Sequence, residues 1–455
     1  MRTLWAATLM AAAVVVCAAA CGNTAEPTSP VPTPPSRSGG DGGEVDSGTS
    51  ADAGADSGTP TDGGDDGGID AGADAGPGPW PTDELTHLSD LFGLPNVQSV
   101  GIDDAYNIWL LEGDRIGVLR PGTSAPVWAS GIGQAAQGFG RDALAEGSTV
   151  ICGGAAGQAY VGYWTYDLKE PHRDDPKDPE FRKGDLDVVQ LNADGTISLT
   201  EHLFRSAGTS QPDPFVNIGV RNSIDWHYDE DRSVLTCQKV MRGPFKGEVY
   251  VGTNHGVVRI RGLQYNAHRH VVWELEPGNL RIGYNYGLGI APNGDVLIAN
   301  EWKVGIATPP PALGDWELFG PTPWQLDTWN DQLNSLADMD YWRAFQQTTD
   351  GHYYLGSMQY GLWQMDRTKW VGSAHWTRVE GLPTQAILAL AATDDGSLFI
   401  GTDGAGLWVL DAKKTLHRVE DVPGATVRQL VYDPTTKPSM LLVLTNGGLT
   451  LIRGR

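Results

Sequence analysis

One short stretch, LFIGTDGAGLWVLD at 398–411, recurs along the chain and limits what this sequence can fold into. It reads as an apolar strand, a tight turn rich in Asp and Gly, and a second strand with bulky apolar residues at alternate positions. Tandem copies of one hairpin predict a repeat architecture in which neighbouring units share their cores. Clear copies lie at 108–120, 249–260, 353–366 and 441–453, and degraded copies lie at 159–168 and 296–307.

The clearest copy extends to a unit of four strands. Strand A covers 386–393, strand B 398–402, strand C 407–411 and strand D 415–420. Long periodic helices are absent from the sequence, apart from a helix-compatible stretch near 330–346, so the pattern predicts an all-β fold of propeller type. The B-to-C turns of seven such units fall at 112–114, 162–165, 253–256, 300–303, 357–361, 403–406 and 445–448.

The two ends of the repeat region complement each other. The last unit stops after strand C, whereas the region begins with a lone strand-D sequence at 84–103, which aligns with 376–394 and 416–433. We therefore predict a seven-bladed β-propeller over residues 80–455 in which the strand at 84–91 pairs with 449–453. That N-terminal strand would complete the last blade and leave no open sheet edge at the closure.

The stretch DGSLFIGTDGAGLWVLD at 395–411 resembles the propeller repeat in the sensor regions of bacterial two-component regulators. Weaker copies of the repeat cover most of 84–455. The resemblance implies a seven-bladed propeller. In hybrid sensors of this family such propellers come as tandem pairs attached to a membrane helix and a kinase, and carbohydrate-derived ligands are associated with them.

The first residues predict export and lipid attachment. Arg2 supplies a positive charge, and 4–20 form an apolar run that is short and rich in Ala for a membrane span. The run ends in AAACG at 18–22, which resembles the lipobox of bacterial lipoproteins. We expect residues 1–20 to be a lipoprotein signal peptide and an acylated Cys21 to anchor the chain in the lipid bilayer, with an ordinary cleaved secretory signal as the alternative. The expected location is the bacterial cell envelope, at the outer membrane or the periplasmic face.

Residues 21–79 predict a disordered tether. Pro, Ser and Thr are followed by Gly, Asp and Ala in near-repeats, so little apolar surface is available to offset the entropy of ordering. The body at 80–455 contains 45 acidic and 30 basic residues. An acidic body argues against nucleic acid as a partner, and solubility is the simplest reason for the charge.

In a propeller the D-to-A and B-to-C connections share one face around the central channel, and we expect any ligand to bind there. Aromatic, amide and charged side chains on this loop face can stack on sugar rings and hydrogen-bond hydroxyl groups, although each taken singly also fits an ordinary turn. The candidate ligand-binding residues are Trp164, Asn222, Asn254, His255, Asn285, Glu301, Trp302, Lys303, Arg343, Gln359, Tyr360, Gln385, Asp403 and Arg428.

Three long insertions, at 165–186, 205–232 and 308–340, are predicted to be loops near the same face. The acidic run 225–231, which contains His227, could ligate a metal, but an exposed charged turn is the simpler interpretation. The same two interpretations apply to His268 and His270, and the surface turn is again the simpler one.

Cys152 and Cys237 fall at the fifth position of strand A in neighbouring units. Export permits a disulfide between them, and two separately buried thiols are an equally good interpretation.

No GxSxG elbow, HExxH motif or phosphate loop occurs in the sequence. The sequence therefore favours an envelope-anchored, non-catalytic recognition module that binds a glycan or an envelope protein and needs no cofactor. One alternative is a metal-dependent, lactonase-like hydrolase with a divalent cation held in the channel by Glu301, Asn285, Asn222 and Asp403. A second alternative is a structural docking scaffold for another envelope protein.

Overall fold

The computed structural model describes residues 80–113, 115–130, 148–163, 186–203, 234–253, 257–268, 273–276, 279–281, 285–300, 304–309, 311, 342–366 and 376–455. The predicted signal peptide, the lipidation site Cys21 and the tether lie outside these residues. Within the described part, the chain consists almost entirely of short antiparallel strands. No helix in these ranges is long and apolar enough to span a membrane.

The first strand, β1 (Leu85–His87), and a short helix, α1 (Leu88–Phe92), precede the first complete blade. Blade 1 comprises β2 (Ser99–Ile102), β3 (Ile108–Glu112), β4 (Arg115–Leu119) and β5 (Val127–Ser130). Blade 2 comprises β6 (Ser148–Gly153), β7 (Gln158–Tyr163), β8 (Leu186–Leu191) and β9 (Ile197–Leu203). Blade 3 comprises β10 (Val234–Lys239), β11 (Val249–Thr253), β12 (Val257–Arg261) and β13 (Gln264–His268).

A two-stranded hairpin, β14 (Trp273–Glu276) and β15 (Asn279–Arg281), follows blade 3. The described strands of blade 4 are β16 (Asn285–Ile290), β17 (Val296–Asn300) and β18 (Val304–Ala307). Blade 5 comprises β19 (Trp342–Gln347), β20 (His352–Ser357), β21 (Leu362–Asp366) and β22 (Thr377–Arg378). Blade 6 comprises β23 (Ile387–Ala392), β24 (Leu398–Thr402), β25 (Leu407–Leu410) and β26 (Leu416–Arg418). Blade 7 contains β27 (Val427–Asp433), β28 (Met440–Thr445) and β29 (Gly448–Arg453), and β1 is its fourth strand.

The first strands of the seven blades form a closed ring. Each of β2, β6, β10, β16, β19 and β23 contacts the first strand of the following blade, and β27 returns to contact β2. The seven-bladed propeller predicted from the repeat spacing is therefore confirmed. The core lies between blades: seven separate apolar clusters each join two neighbouring sheets, including one between blades 7 and 1.

The predicted closure is also confirmed. β1 pairs antiparallel with β29, with Leu85 opposite Ile452 and His87 opposite Thr450. The predicted strand at 84–91 is wrong beyond His87, because α1 begins at Leu88. The helical turn directs Leu88 into the cluster between blades 7 and 1, and Gly93 ends the helix in the left-handed conformation.

A glycine near the end of the second strand of a blade has a packing role. In four blades this glycine faces the start of the next blade's first strand, and a Cβ built on it would lie within 2.8 Å of that strand. A side chain here would push neighbouring blades apart, so the repeat needs glycine. The pairs are Gly162 with Val234, Gly252 with Asn285, Gly356 with Ile387 and Gly401 with Val427.

Two local predictions are decided by the structure. Cys152 on β6 and Cys237 on β10 form a disulfide, with their Cα atoms 6.0 Å apart, so a covalent bond joins blades 2 and 3. The helix-compatible stretch predicted near 330–346 is wrong at its C-terminal end, because Trp342–Gln347 forms the strand β19. Both faces of this segment are covered, with Phe345 packed between blades 4 and 5 and Ala344 between blades 5 and 6, which favours a strand. The rest of that stretch lies outside the described residues.

Candidate functional site

Near the start of the first strand of most blades, one residue is left out of the pairing with the second strand. In six blades the pairing of the first and second strands shifts by one residue at this point, which marks a β-bulge. A bulge leaves its extra residue outside the ladder and re-aims the side chain. The bulge residues are Thr149, Leu235, Tyr286, Arg343, Leu388 and Arg428.

Blade 1 supplies a comparable residue, Gln98, whose N–H donates to the Leu111 carbonyl (2.7 Å) just before β2. Gln98 and five of the bulge residues line one cavity; the side chain of Thr149 lies outside the described part. We call the six cavity-lining residues the bulge ring: Gln98, Leu235, Tyr286, Arg343, Leu388 and Arg428.

The cavity has a volume of about 220 Å³, and the first strands of all seven blades line it. It is therefore the central channel of the propeller. Because a first strand begins at the D-to-A connection, the bulge ring lies at the loop-face end. Lys239 and Gln346 line the cavity near the opposite end, where the A-to-B turns lie. We call this opposite end the turn end.

The channel differs in charge from the rest of the protein. Its described lining includes three cations, Lys239, Arg343 and Arg428, and no Asp, Glu or His. The body as a whole is acidic, with 45 acidic and 30 basic residues at 80–455. The ionised side chains of the described lining are therefore all cationic, in contrast to the acidic body.

At the turn end, Lys239 has a structural role. It is buried, and its ammonium group donates to Asp104 Oδ1 (2.7 Å), the Gly154 carbonyl (2.8 Å) and the Ile102 carbonyl (3.3 Å). These acceptors belong to blades 1 and 2, whereas Lys239 ends the first strand of blade 3. The lysine therefore joins three blades, and Asp104 balances its charge.

At the loop-face end, the two arginines are held differently. The guanidinium carbon of Arg343 lies 3.8 Å from the centroid of the Tyr286 ring, a cation–π contact that orders the side chain. Arg428 is exposed and has no hydrogen bond or ion pair to any residue in the described ranges. Gln98 accepts from the Gly113 N–H through Oε1 (3.2 Å), which orients the amide.

A polar side chain fixes the wall directly below the ring. Gln429 Oε1 accepts from the Val100 N–H (2.9 Å) and the Ser99 hydroxyl (3.0 Å), while its Nε2 donates to the Val100 carbonyl (2.9 Å). The Ser99 hydroxyl oxygen in turn accepts from the Ile151 N–H (3.1 Å). Blades 7, 1 and 2 are therefore joined by hydrogen bonds next to the bulge ring, which holds the ring in a defined geometry.

Of the candidate residues predicted from sequence, Arg343 and Arg428 line the channel. Asn285 is fully buried, and its amide donates to the Thr253 carbonyl (2.9 Å). Asp403 is exposed and accepts from the Thr426 hydroxyl (2.8 Å).

Three further candidates, Gln359, Tyr360 and Gln385, lie on the loops of blades 5 and 6. The backbone N–H groups of Gln359 and Tyr360 both donate to the Ser357 hydroxyl, at 2.9 and 2.8 Å. The Gln385 amide bridges the Gln359 carbonyl and the Arg378 guanidinium. None of the three is among the channel-lining residues. The candidates Trp164, Asn222, Asn254, His255, Glu301, Trp302 and Lys303 lie outside the described residues, as do 225–231 and His270.

The sequence reasoning missed Gln98, Leu235, Tyr286 and Leu388. They occupy one position of the repeat, immediately after the first residue of strand A or its equivalent. Aligning the seven units on that position would have found them. Their direction depends on the bulge, which the residue pattern does not encode.

The described channel residues fit an anion better than a divalent cation. Calcium and magnesium prefer carboxylate and carbonyl oxygens, whereas the ionised side chains of the described lining are all positive. No group of three or more His, Cys, Asp or Glu side chains that could hold a metal occurs within the described ranges.

No protein-family model matches the sequence, and no curated protein matches it. Among solved structures, the chain is similar to the extracellular domain assigned to a hybrid two component system of B. thetaiotaomicron, at 12% identity and a TM-score of 0.49. That match covers 82% of this chain and 42% of the other, so the chain spans less than half of that domain's length.

Two YCF48 structures are also similar. YCF48 bound to D1 peptide matches at 12% identity and a TM-score of 0.46, covering 82% of this chain and 96% of the other. YCF48 from Cyanidioschyzon merolae matches at 11% identity and a TM-score of 0.48, covering 81% and 98%.

Proposed function

We propose that this protein is a non-catalytic binding module that recognises its ligand at the loop-face mouth of the propeller channel. The observation that carries the proposal is the bulge ring. A bulge next to the channel re-aims one side chain per strand, and bulges of this kind are over-represented beside functional sites. The ring combines an aromatic residue, two guanidinium groups, an amide and two leucines, the mixture typical of a small-ligand site.

At least one polar side chain of the bulge ring is not needed to hold the blades together. Elsewhere on the channel wall, the side chains of Gln429 and Lys239 form hydrogen bonds to backbone groups of neighbouring blades. Arg428 is exposed and makes no such bond to a described residue. A long, charged side chain that contributes no bond to the sheet is available to a ligand.

The envelope location is a further part of the proposal. The lipobox-like sequence at 18–22 supports acylation of Cys21, and the Gly- and Asp-rich tether would hold the propeller away from the membrane. Labelling with a palmitate analogue in a bacterial host tests this. The wild-type chain should take up label and fractionate with the membrane, and Cys21→Ser should do neither. Equal labelling of the two would contradict acylation at Cys21.

A ligand screen on the mature chain tests the binding role. Neutral and acidic sugars and short peptides would be examined by thermal-shift assay and calorimetry, with Arg428→Gln as the site variant. The matched control is Arg418→Gln, which changes an exposed arginine on the outer strand of blade 6. We expect a ligand whose affinity falls in the site variant only. Ligands that bind both variants like the wild type would contradict a site in the channel mouth.

The hydrolase alternative depends on Glu301, Asn285, Asn222 and Asp403. Glu301 and Asn222 lie outside the described residues, and Asn285 and Asp403 are bonded to Thr253 and Thr426. No observation in the described channel favours hydrolysis, so we do not propose it. The docking-scaffold alternative would be supported if the chain bound one envelope protein and no small ligand.

A further inference from the structure

We infer that the A-to-B connection of blade 3 closes the turn end of the channel, so that the channel is a blind pocket with its single entrance at the loop-face mouth. This inference rests on the proposed function and adds to it the route by which a ligand enters and the depth it can reach. Its basis is a contact between blades that are not neighbours in the ring: Arg242 of blade 3 is ion-paired with Asp394 of blade 6.

The connection between β10 and β11 is the longest of its kind. It has nine residues, 240–248, whereas the corresponding connections of the other six blades have four to six. We call residues 240–248 the strap. The two ends of the strap are bonded to each other: the Val240 N–H donates to the Glu248 carbonyl (2.8 Å), and the Gly247 N–H donates to the Val240 carbonyl (2.9 Å). The residues between these bonds therefore form a closed loop beyond the two strands.

The strap reaches the far side of the channel. The neighbours of blade 3 are blades 2 and 4, so a contact with blade 6 or blade 7 has to span the channel end. The Arg242 guanidinium makes such a contact with the Asp394 carboxylate in the A-to-B turn of blade 6. The Asp394 N–H donates to the Tyr432 hydroxyl of blade 7 (3.2 Å), so the acceptor of the strap is itself attached to the next blade.

Met241 forms the floor of the channel. Its side chain packs against the apolar cluster between blades 7 and 1, again across the channel from blade 3. Met241 lines both the 220 Å³ channel and a second cavity of about 70 Å³ at the turn end, whose lining comes from blades 3 to 7. This second cavity is large enough for a few water molecules and too small for a drug-sized ligand. A ligand that enters from the loop face therefore stops at Met241.

The two contacts of the strap differ in strength. The Arg242 and Asp394 side chains are 42% and 45% exposed, and an ion pair this exposed to water contributes little to stability. Met241 is partly buried against an apolar cluster, and a methionine side chain adapts its shape to an irregular gap. The ion pair therefore positions the strap over the opening, whereas Met241 blocks the passage. Removing the ion pair should loosen the closure without unfolding the protein.

The test is the reactivity of a thiol placed at the boundary of the two cavities. Gln346 of blade 5 lines both cavities, and its side chain has no hydrogen bond to a described residue. Gln346→Cys is made in the mature chain with Cys21→Ser, where Cys152 and Cys237 are bonded to each other, so the introduced thiol is the single free one. Fluorescein maleimide is the reagent. The rate for each variant is divided by its rate in urea, which removes differences in intrinsic reactivity.

Arg428→Cys in the same background supplies the comparison, because Arg428 is exposed at the loop-face mouth. We expect the thiol of Gln346→Cys to react about 100-fold or more slowly than that of Arg428→Cys, since access limits the reaction of a thiol. Adding Arg242→Ala should raise the slow rate by up to about fivefold, the range that an exposed ion pair allows. Adding Met241→Ala as well should raise it about tenfold or more, because the blocking side chain is then truncated.

Lys246→Ala is the matched control, since it changes an exposed residue of the same strap, and it should leave the rate unchanged. Thermal unfolding checks that each variant is folded. Arg242→Ala removes only an exposed ion pair and carries the test by itself if the double variant does not fold.

Equal rates for Gln346→Cys and Arg428→Cys would show an open turn end and overturn the inference, while a ligand found in the screen would leave the proposed function standing. A slow rate that neither strap variant changes would also overturn it, because another part of the protein would then protect the thiol. A screen without any ligand would contradict the proposed function alone, since the closure is measured without a ligand.

Discussion

The two ends of the channel use charged residues for opposite purposes. At the turn end, Lys239 donates to acceptors in two other blades and is neutralised by Asp104. At the loop-face end, Arg428 is exposed and has no bond to a described residue, although it lies on the same kind of strand. The cation at the turn end therefore joins blades, whereas Arg428 at the loop-face end is presented to solvent.

Aspartates repeat this contrast. Asp103, in the first A-to-B turn, is buried and accepts from the N–H groups of Ala105 (2.8 Å), Asn107 (3.0 Å) and Gly157 (3.0 Å). It also accepts from the Asn107 amide (2.7 Å) and the Trp109 indole (2.9 Å). Asp403, on a loop-face turn, is exposed and accepts one side-chain bond, from Thr426.

Replacing Asp103 and Asp403 should give the largest difference in the free energy of unfolding. Asp103→Ala leaves five donors without their acceptor in a buried site, and we expect it to lower the free energy of unfolding by about 4 kcal/mol. Asp403→Ala should change it by less than about 0.5 kcal/mol. Urea unfolding followed by Trp fluorescence measures both, and a comparable loss in the two variants would remove the contrast between the faces.

Replacing Lys239 and Arg428 should give a smaller difference in the free energy of unfolding, again with the larger loss at the turn end. Lys239→Met removes three hydrogen bonds and the counter-ion of Asp104, so we expect the free energy of unfolding to fall by about 3 kcal/mol. Arg428→Gln should stay within about 0.5 kcal/mol of the wild type. The same urea titrations apply. A stable Lys239→Met protein would mean that the blades do not depend on this lysine.

The glutamine pair sharpens the comparison at the loop-face end itself. Gln429→Leu leaves the Val100 N–H and carbonyl without their partner, and we expect a loss of about 2 kcal/mol. Gln98→Leu removes one bond, to an exposed glycine, and should cost less than about 1 kcal/mol while weakening ligand binding. If both variants lost stability and ligand affinity to the same extent, Gln429 and Gln98 would not have the separate structural and binding roles proposed here.

The smallest effect concerns pH. Burial raises the pKa of Asp350, but hydrogen bonds from Lys414 (2.6 Å), Thr348 and His352 outweigh it and leave the pKa well below its usual value. A carboxyl group with a lowered folded-state pKa stabilises the protein above its unfolded-state pKa, near 4, and loses that contribution as the pH falls. We expect the free energy of unfolding to fall below pH 4, and less steeply in Asp350→Asn. Identical acid profiles would contradict a role for this group.

Much of the fold could be predicted because the repeat encodes it locally. Alternating apolar residues give the strands, Asp-Gly pairs give the turns, and the displaced strand-D sequence near Leu85 gives the closure. The one-turn helix at 88–92 was missed because its direction is set by a tertiary contact, the burial of Leu88 between blades 7 and 1.

Less of the candidate site could be predicted. Arg343 and Arg428 were among the candidates because they enter strand A, but Tyr286 and Leu388 were not, since their direction follows from a bulge in the ladder. The role of Lys239 depends on three blades that meet only when the ring closes. Such contacts join residues more than 80 positions apart in the chain and leave no local pattern.

A crystal structure of the mature chain soaked with a ligand found in the screen tests the contrast between the two ends most directly. We predict density for the ligand at the bulge ring, within hydrogen-bonding distance of the Arg428 guanidinium, about 2.7–3.2 Å. Ligand bound beside Lys239 at the turn end, or only on the outer strands, would contradict the assignment of the loop-face end to ligand binding.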